Sequence, residues 1–234
     1  MKTFILVHGA WHGGWVWRKV AESLRQAGHE VFSPCLTGLG ERSHLLDRNV
    51  TLSTHVRDVT NLIETHALRD VVLCGHSYGG LVVAQAADQL PDRVARVLFL
   101  DAFLPENGKS LLDLLPSPFR AEMQTIAREK GEGWFVPAPP VEGLQIAGAA
   151  DRQWVAERLG PHPLASFTEP SRLTGAWVKV PRLAYVAATR FDSPVLVPSR
   201  AWARSHRAFE YHEAPTGHEV MIEAPEVVAR ILST

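Results

Sequence analysis

The sequence of 234 residues is poor in cysteine, with only Cys35 and Cys74. Two cysteines far apart supply neither a disulfide framework nor a zinc site, so we predict a reduced, cytoplasmic protein with no metal. An excess of charge is also missing, because 24 Lys and Arg residues balance 25 Asp and Glu residues. This balance gives no indication of binding to nucleic acid, to an anionic membrane or to an acidic substrate.

Long hydrophobic runs are the third absence. The longest apolar runs have the length of a strand, so no transmembrane helix is predicted. The segment Met1–Val7 is similar to the apolar part of a signal peptide, but no cleavage site of small residues follows it, and Val7-His8-Gly9 is typical of the end of a strand. The composition, 46% hydrophobic and 21% charged, fits one globular domain over residues 1–234.

Apolar periodicity predicts strands that alternate with helices in the first and last parts of the chain. The predicted strands are Thr3–Val7, Glu30–Ser33, Val71–Cys74, Arg96–Leu100, Arg182–Ala188 and Phe209–Glu213. Helices are predicted at about 17–24, 52–63, 78–90 and 197–205, and after Pro225. This alternation is typical of an α/β protein with a mostly parallel sheet that is covered by helices on both faces.

The alternation stops between about Phe103 and Val180. Helices are predicted at 111–115, 121–130 and 151–159, and a stretch rich in glycine and proline, 131–143, separates two of them. No polar, flexible linker flanks this part of the chain, as would be expected at a domain boundary. We therefore expect an insertion over the sheet, hereafter the cap segment, and not a second domain.

The strongest functional signal is the motif Gly75-His76-Ser77-Tyr78-Gly79, which matches G-x-S-x-G. The motif follows a predicted strand and precedes a predicted helix, and this context makes it specific. A sharp turn there would present the Ser77 hydroxyl at the carboxyl end of the sheet, near a helix N-terminus that favours developing negative charge. We predict that Ser77 is a nucleophile; a glycine-rich turn without catalysis is the alternative.

A nucleophilic serine needs a histidine base and an acid that orients the base. His218 lies in a loop after the last predicted strand and is the predicted base. The order Ser, acid, His along the chain favours Asp192 as the acid. Asp101, at the end of the strand Arg96–Leu100, is the alternative, and the Asp-Ser-Pro context also allows Asp192 a role in a turn. His55 lies in a predicted helix and is expected to be a surface or packing residue, and His162 has no motif context, so neither receives a catalytic role.

The oxyanion that forms when a serine attacks a carbonyl group needs two backbone N–H donors. Tyr78, the residue after the nucleophile, supplies one, and we predict Ala10, in the glycine-rich loop after the first strand, as the other. The substrate pocket is predicted to be lined by His12 and Trp11 of the same loop and by Trp134 of the cap segment.

The chain resembles the α/β-hydrolase superfamily over essentially its whole length, and three segments carry the most specific resemblance: Leu6–Trp17, Gly75–Gly80 and Gly217-His218. They are most similar to the plant methylesterase and hydroxynitrile lyase family, and in particular to its bacterial esterase relatives. The resemblance implies an α/β-hydrolase fold with a small cap over the pocket and no cofactor. It also implies a triad of Ser77, Asp192 and His218, with Ala10 and Tyr78 as oxyanion donors.

The family that the chain resembles contains both ester hydrolases and C–C lyases. Lyase members have a threonine at the position of Gly9 and a lysine directly after the catalytic histidine, where this chain has Glu219. A carboxylate repels cyanide and, when ionised, cannot donate a hydrogen bond to it. We therefore predict a serine esterase that hydrolyses small, short-chain or aromatic carboxylic esters through an acyl-enzyme.

A lyase of the same fold and a non-catalytic binder of small ligands are the alternatives to this esterase. The expected partner is a small-molecule ester substrate, with no nucleic acid and no membrane. The sequence leaves open whether two copies form a homodimer.

Overall fold

The computed structural model describes all 234 residues and contains eight strands and ten α-helices. The strands are β1 (Thr3–Val7), β2 (Glu30–Phe32), β3 (Val71–His76), β4 (Val94–Leu100), β5 (Phe135–Val136), β6 (His162–Pro163), β7 (Arg182–Ala188) and β8 (Phe209–Ala214). The helices are α1 (Arg18–Gln26), α2 (Leu52–Thr65), α3 (Gly79–Gln89), α4 (Leu111–Leu114), α5 (Ser117–Lys130), α6 (Ala149–Ala156), α7 (Leu164–Thr168), α8 (Val197–Ser205), α9 (Val220–Glu223) and α10 (Pro225–Ser233).

Six of the strands form one sheet in the order β2-β1-β3-β4-β7-β8, and every neighbouring pair is parallel. Parallel neighbours need crossover connections. Helices of the alternating pattern supply them, except between β4 and β7, which the cap segment connects. The predicted α/β fold with a mostly parallel sheet is confirmed.

β3 lies inside the sheet, and all its residues are buried. A parallel strand covered on both faces needs apolar side chains at consecutive positions, which explains the run Val71–Cys74. At its carboxyl end Gly75 packs directly on α3, because a Cβ there would lie 2.5 Å from the carbonyl oxygen of Gly79. Small residues therefore let α3 approach the sheet and fix the turn between them.

The helix α2 illustrates how the helices start and which side they bury. Thr51 precedes it, and the side chains of Thr51 and Thr54 form a reciprocal capping box. Its buried side includes Val56, Val59 and Ile63, which have the spacing of one helix face. Each fully buried aliphatic side chain of this size stabilises the fold by about 1.5–3 kcal/mol. No helix of the chain combines the length and the hydrophobicity needed to cross a bilayer.

The segment between β4 and β7 contains the short helices α4 to α7 and an antiparallel ribbon of β5 and β6. The predicted helices are present, although α5 begins at Ser117, earlier than the sequence indicated. The ribbon and α7 have no sequence signal, because elements of two and five residues are too short to show a period.

Candidate active site

Ser77 lies on the turn between β3 and α3. Its φ of 52° falls in the left-handed region, which residues other than glycine rarely adopt. Its carbonyl oxygen accepts hydrogen bonds from the N–H groups of Gly80 and Phe103, both at 3.1 Å, and these bonds hold the turn. Ser77 is partly exposed, while its neighbours His76 and Tyr78 are buried. The structure thus has a strand, a sharp turn and a helix at the motif, with the serine accessible.

Asp101 is the carboxylate that contacts His218. Its Oδ2 lies 2.7 Å from Nδ1 of His218, and the side chain is fully buried. Asp101 directly follows β4, in which Leu100 pairs with His76 of β3. The strand register therefore brings Asp101 to the level of Ser77, on the neighbouring strand.

The second carboxylate oxygen of Asp101 is held by two further elements. Oδ1 accepts a hydrogen bond from the Ala188 N–H at 3.1 Å and lies 3.0 Å from Nε and 2.8 Å from Nη2 of Arg200. The backbone N–H of Asp101 donates to the Val186 carbonyl at 2.7 Å and holds a left-handed φ of 44°. A buried carboxylate needs a countercharge and hydrogen bonds, and Asp101 has both.

The structure does not bring Asp192 to His218, which corrects the sequence prediction. Asp192 is exposed, four residues beyond the end of β7. Its contacts are through the backbone: the N–H donates to Oε1 of Gln145 at 3.0 Å, and the carbonyl accepts from Nε2 at 3.3 Å. Chain order cannot separate the two aspartates, because Asp101 and Asp192 both lie between Ser77 and His218. Asp192 has instead the turn position that the Asp-Ser-Pro context allows.

The imidazole of His218 packs between other rings and has a fixed backbone. The ring of Phe191 stacks on it with centroids 4.4 Å apart, and the ring of His76 lies 4.5 Å away. The His218 carbonyl accepts from Nε2 of His76 at 3.1 Å, and the His218 N–H donates to the Leu144 carbonyl at 3.0 Å. The imidazole is hydrogen-bonded to Asp101 and not to Ser77; in free enzymes the contact to the nucleophile is often long and shortens when substrate binds.

Two backbone donors beside Ser77 have no acceptor within the protein. The residues Ala10 and Tyr78 are buried, and neither N–H donates a hydrogen bond to a protein atom. The loop of Ala10 touches the serine, because a Cβ at Gly9 would lie 2.9 Å from Cβ of Ser77. Buried N–H groups without a partner are rare, so this pair is suited to receive an oxygen atom.

His8 fixes the peptide that presents the Ala10 N–H. Its Nε2 accepts from the Leu36 N–H at 3.1 Å, so Nδ1 carries the proton and donates to the Gly9 carbonyl at 2.8 Å. Burial lowers the pKa of His8 to about 3, and the neutral ring agrees with this arrangement. Since the Gly9 carbonyl and the Ala10 N–H belong to one peptide, the bond from His8 opposes its rotation.

Trp11, a predicted pocket residue, connects the loop of residues 8–15 to the cap segment. This loop contains the predicted donor Ala10 and is hereafter the oxyanion loop. The N–H of Trp11 donates to Nδ1 of His162 at 3.3 Å, and its indole N–H donates to the Val136 carbonyl at 3.0 Å. Its carbonyl accepts from the Gly160 N–H at 3.0 Å, and its φ of 64° is left-handed. Residues of the cap segment therefore form hydrogen bonds with the N–H, the carbonyl and the indole N–H of Trp11, which directly follows Ala10.

The other two predicted pocket residues have different surroundings. His12 is buried, and its ring nitrogens face the Ala10 carbonyl and Glu219. Trp134 packs against Phe135 within the cap segment, with ring centroids 5.0 Å apart. A role of the three residues in lining the pocket stays a prediction.

Four residues at the site were not assigned there from the sequence: His55, His162, Arg200 and Glu219. Nδ1 of His55 lies 2.8 Å from the Tyr78 hydroxyl, and the rings of His162 and Tyr78 are 4.9 Å apart. Burial lowers the pKa of His55 to about 4 and that of His162 well below its usual value, so both rings are neutral. The contacts join distant parts of the chain, and only Glu219, directly after the predicted base, has a signal in the sequence.

A cavity of about 580 Å³ opens beside the site, between the start of the cap segment and α8. Its lining includes Phe103, two residues beyond Asp101, and Ser199, next to Arg200. The nucleophile and the base do not line it, so the cavity is adjacent to the acid side of the site.

Similarity to known proteins agrees with this geometry. The profile of the alpha/beta hydrolase family matches residues 4–231. A carbendazim hydrolyzing esterase of Nocardioides sp. (strain SG-4G) is 39% identical over 244 residues, covering 100% of this chain and 99% of that protein. Methylesterase 7 of Arabidopsis thaliana is 37% identical over 107 residues, 45% of this chain and 41% of that protein. The solved structure of an extracellular alpha/beta-hydrolase from a Paenibacillus species is 25% identical, with a TM-score of 0.86 over 99% of this chain and 98% of that chain. This chain therefore belongs to the alpha/beta hydrolase family, and it is an esterase.

Proposed function

We propose that this esterase uses Ser77 as nucleophile, His218 as general base and Asp101 as the acid that orients His218. The 2.7 Å contact between Nδ1 of His218 and the buried carboxylate carries the proposal. Nε2 of His218 takes the proton of the Ser77 hydroxyl as the oxygen attacks the ester carbonyl. Asp101 stabilises the imidazolium, which then gives its proton to the leaving alcohol.

The Ala10 and Tyr78 N–H groups receive the negative charge of the tetrahedral intermediate. A single donor of this kind is worth on the order of 10²–10³-fold in kcat. A water molecule deprotonated by His218 then attacks the acyl-enzyme through a second oxyanion, and the acid leaves. No cofactor takes part in this sequence of steps.

We assign the cap segment, residues 103–180, as a cover over the pocket of a single domain. Two contacts support this assignment: the cap holds Trp11 of the oxyanion loop, and the Leu144 carbonyl of the cap accepts the His218 N–H. The cap therefore touches the loops that carry the oxyanion donor and the base.

For the substrate we propose small esters, short-chain or aromatic, including methyl carbamates of aromatic amines. The ring centroid of Phe167 lies 5.7 Å from that of Trp11 and 5.6 Å from that of Tyr78. These three aromatic rings pack together next to the oxyanion donors. One relative is an esterase that hydrolyses carbendazim, which is a methyl carbamate of an aromatic heterocycle. This similarity supports methyl carbamates as substrates of this chain. Carbamate and ester carbonyls both pass through a tetrahedral oxyanion.

The two alternatives have specific observations against them. A lyase of the related type needs a threonine at position 9, where a Cβ would lie 2.9 Å from both Nδ1 of His76 and Cβ of Ser77. A cation after the base is missing too, because Glu219 occupies that position and faces His12. A binder of small ligands has no use for a serine in a strained, left-handed turn together with a buried Asp-His pair.

The direct test is turnover of 4-nitrophenyl esters from acetate to dodecanoate, and of carbendazim, by the purified protein. We expect kcat/KM to be highest for short or aromatic acyl groups, and a fluorophosphonate probe to label Ser77. Ser77→Ala should abolish turnover and labelling, while Ser43→Ala, at an exposed serine, should change neither. Highest activity on dodecanoate would contradict the small-substrate proposal, and an unlabelled Ser77 would favour the binder.

The cytoplasmic location and a homodimer stay predictions. Cell fractionation tests the first, and light scattering of the purified protein tests the second.

A further inference from the structure

Glu219 and His12 form a buried pair behind the oxyanion loop. Glu219 is fully buried, and its Oε1 lies 3.3 Å from Nε2 of His12. The other ring nitrogen, Nδ1, lies 2.6 Å from the Ala10 carbonyl. Because a carbonyl oxygen only accepts, Nδ1 carries a proton. One imidazole thus joins the residue after the base to the residue that carries an oxyanion donor.

The second nitrogen of His12 is also protonated. An unprotonated Nε2 would direct its lone pair at a buried carboxylate, which is costly without a countercharge. Burial lowers the pKa of His12, but the charge of Glu219 at 3.3 Å and the hydrogen bond to the Ala10 carbonyl outweigh burial and raise the pKa above its usual value. Burial raises the pKa of Glu219, but the charge of His12 outweighs burial and holds it below its usual range. The pair is therefore an imidazolium and a carboxylate.

The surroundings of His12 supply no second cation. The ionisable groups that face it are His8 at the end of β1, His76 at the end of β3, His162 on β6, and Glu219. Burial lowers the pKa of His8 and of His76 to about 3, and that of His162 well below its usual value. These three rings are neutral, so deprotonation of His12 would leave Glu219 as a buried, uncompensated negative charge.

We propose that Glu219 and His12 are positioning residues for ester cleavage. They hold the Ala10 carbonyl, in the peptide that follows the donor, while His8 holds the Gly9 carbonyl, in the peptide that contains the donor. With both peptides fixed, the Ala10 N–H stays turned toward the oxyanion. The proposal rests on the proposed function. The loop has glycine at positions 9, 13 and 14, so its peptides rotate easily unless they are held. Buried ion pairs give little net stability compared with apolar packing, which favours a positioning role for this pair.

The sign of the pH effect follows from the raised pKa of His12. Below that pKa the pair is neutral overall and the loop is held. As the pH rises through it, His12 loses its proton and Glu219 places a negative charge beside a site that must stabilise an oxyanion. We expect kcat to fall on the alkaline side while KM stays constant, because the charge opposes only the transition state.

Three variants separate positioning from packing. His12→Phe removes the donor to Ala10 and should lower kcat about 100-fold, comparable with the loss of one oxyanion donor. His12→Asn keeps an N–H near the position of Nδ1 and should recover most of that loss, since the amide can still donate to the carbonyl. Glu219→Gln removes the charge and should abolish the alkaline fall in kcat. Exposed control positions are available in His66→Asn and Glu226→Gln, which should leave the profile unchanged.

The variants are compared per active site, by fluorophosphonate titration, and by inhibition with a trifluoromethyl ketone, which forms an oxyanion on the serine. The proposal expects the inhibition constant to rise in parallel with the loss of kcat. Equal losses in His12→Phe and His12→Asn, an unchanged inhibition constant, or an alkaline fall that persists in Glu219→Gln would each overturn it.

A measurement on the wild-type protein covers the case in which a variant fails to fold. Nitrogen-15 NMR of labelled histidines should show His12 protonated on both nitrogens at pH values below the alkaline fall in kcat, and a singly protonated His12 in that range would refute the pair. Absence of ester turnover by the wild type would instead refute the proposed function, so the two failures are distinguishable.

Discussion

Replacing Asp101 by Asn tests the assignment of the acid, because an amide keeps the shape and loses the charge. Two donors already fix one side of this carboxylate: the Ala188 N–H and the guanidinium of Arg200 both bind Oδ1. In the variant, only the amide oxygen can accept from them. The amide NH₂ must therefore face Nδ1 of His218, where Oδ2 now lies at 2.7 Å.

This orientation determines the size of the effect. An NH₂ group facing Nδ1 forces the proton of His218 onto Nε2, and that tautomer cannot take a proton from Ser77. The same change in a comparable triad lowers kcat by about 10⁴-fold, which corresponds to about 5.5 kcal/mol in the barrier. The amide oxygen still accepts from Arg200, so Asp101→Asn should destabilise the fold less than Asp101→Ala.

The assay is kcat/KM with 4-nitrophenyl acetate, combined with thermal unfolding of each variant. Asp192→Asn is the matched control, because this residue is exposed and contacts Gln145 only through its backbone. We expect the control to stay within about threefold of wild type, since surface changes of this kind are usually within ±0.5 kcal/mol. A larger loss in Asp192→Asn than in Asp101→Asn would refute the reasoning and return the acid to the loop after β7.

Three further outcomes follow from the site. Ser77→Ala should lower turnover by at least about 10⁴-fold at an unchanged melting temperature, and normal turnover would remove the serine from the mechanism. Gly9→Thr should lower esterase activity by about tenfold or more, because its Cβ meets Ser77 and His76 at 2.9 Å, and a cyanide electrode should detect no release from mandelonitrile. Trp11→Phe should cost about 0.5–1.5 kcal/mol in the free energy of unfolding in urea, the worth of the indole hydrogen bond to the Val136 carbonyl, and an unchanged stability would show that the bond does not form.

The sequence best predicts those helices and strands whose buried positions form a regular apolar pattern within one continuous segment. The run Val71–Cys74 is apolar at every position because both faces of β3 are covered, and the spacing of Val56, Val59 and Ile63 shows one helix face. The ribbon of β5 and β6 follows no such rule. Its two strands of two residues are far apart in the chain, and the Val136 carbonyl of β5 accepts the indole N–H of Trp11, so contacts between distant residues accompany the ribbon and no local pattern predicts it.

The residues of the site likewise differ in how well the sequence predicts their positions. The sharp turn at Ser77 is predictable because the strand, the flanking glycines and the following helix are all encoded within a few residues. The carboxylate that contacts His218 is not, because two aspartates fit the chain order and only the pairing of β4 with β3 and β7 decides between them. Asp101 directly follows β4 and is therefore buried at the carboxyl end of the sheet. Asp192 lies four residues beyond the end of β7 and is exposed to solvent.

The two buried carboxylates at the site, Asp101 and Glu219, each need a positive charge nearby, and different residues supply it. Asp101 must stay ionised to stabilise the imidazolium, and Arg200 balances it with a guanidinium that remains charged at any working pH. Glu219 is balanced by His12, whose proton can be lost, so its countercharge holds only below the raised pKa of that ring. Loss of charge balance at alkaline pH should therefore begin at the oxyanion loop and not at the acid of the triad. If Arg200→Gln moved the alkaline limb and Glu219→Gln did not, this order would be wrong.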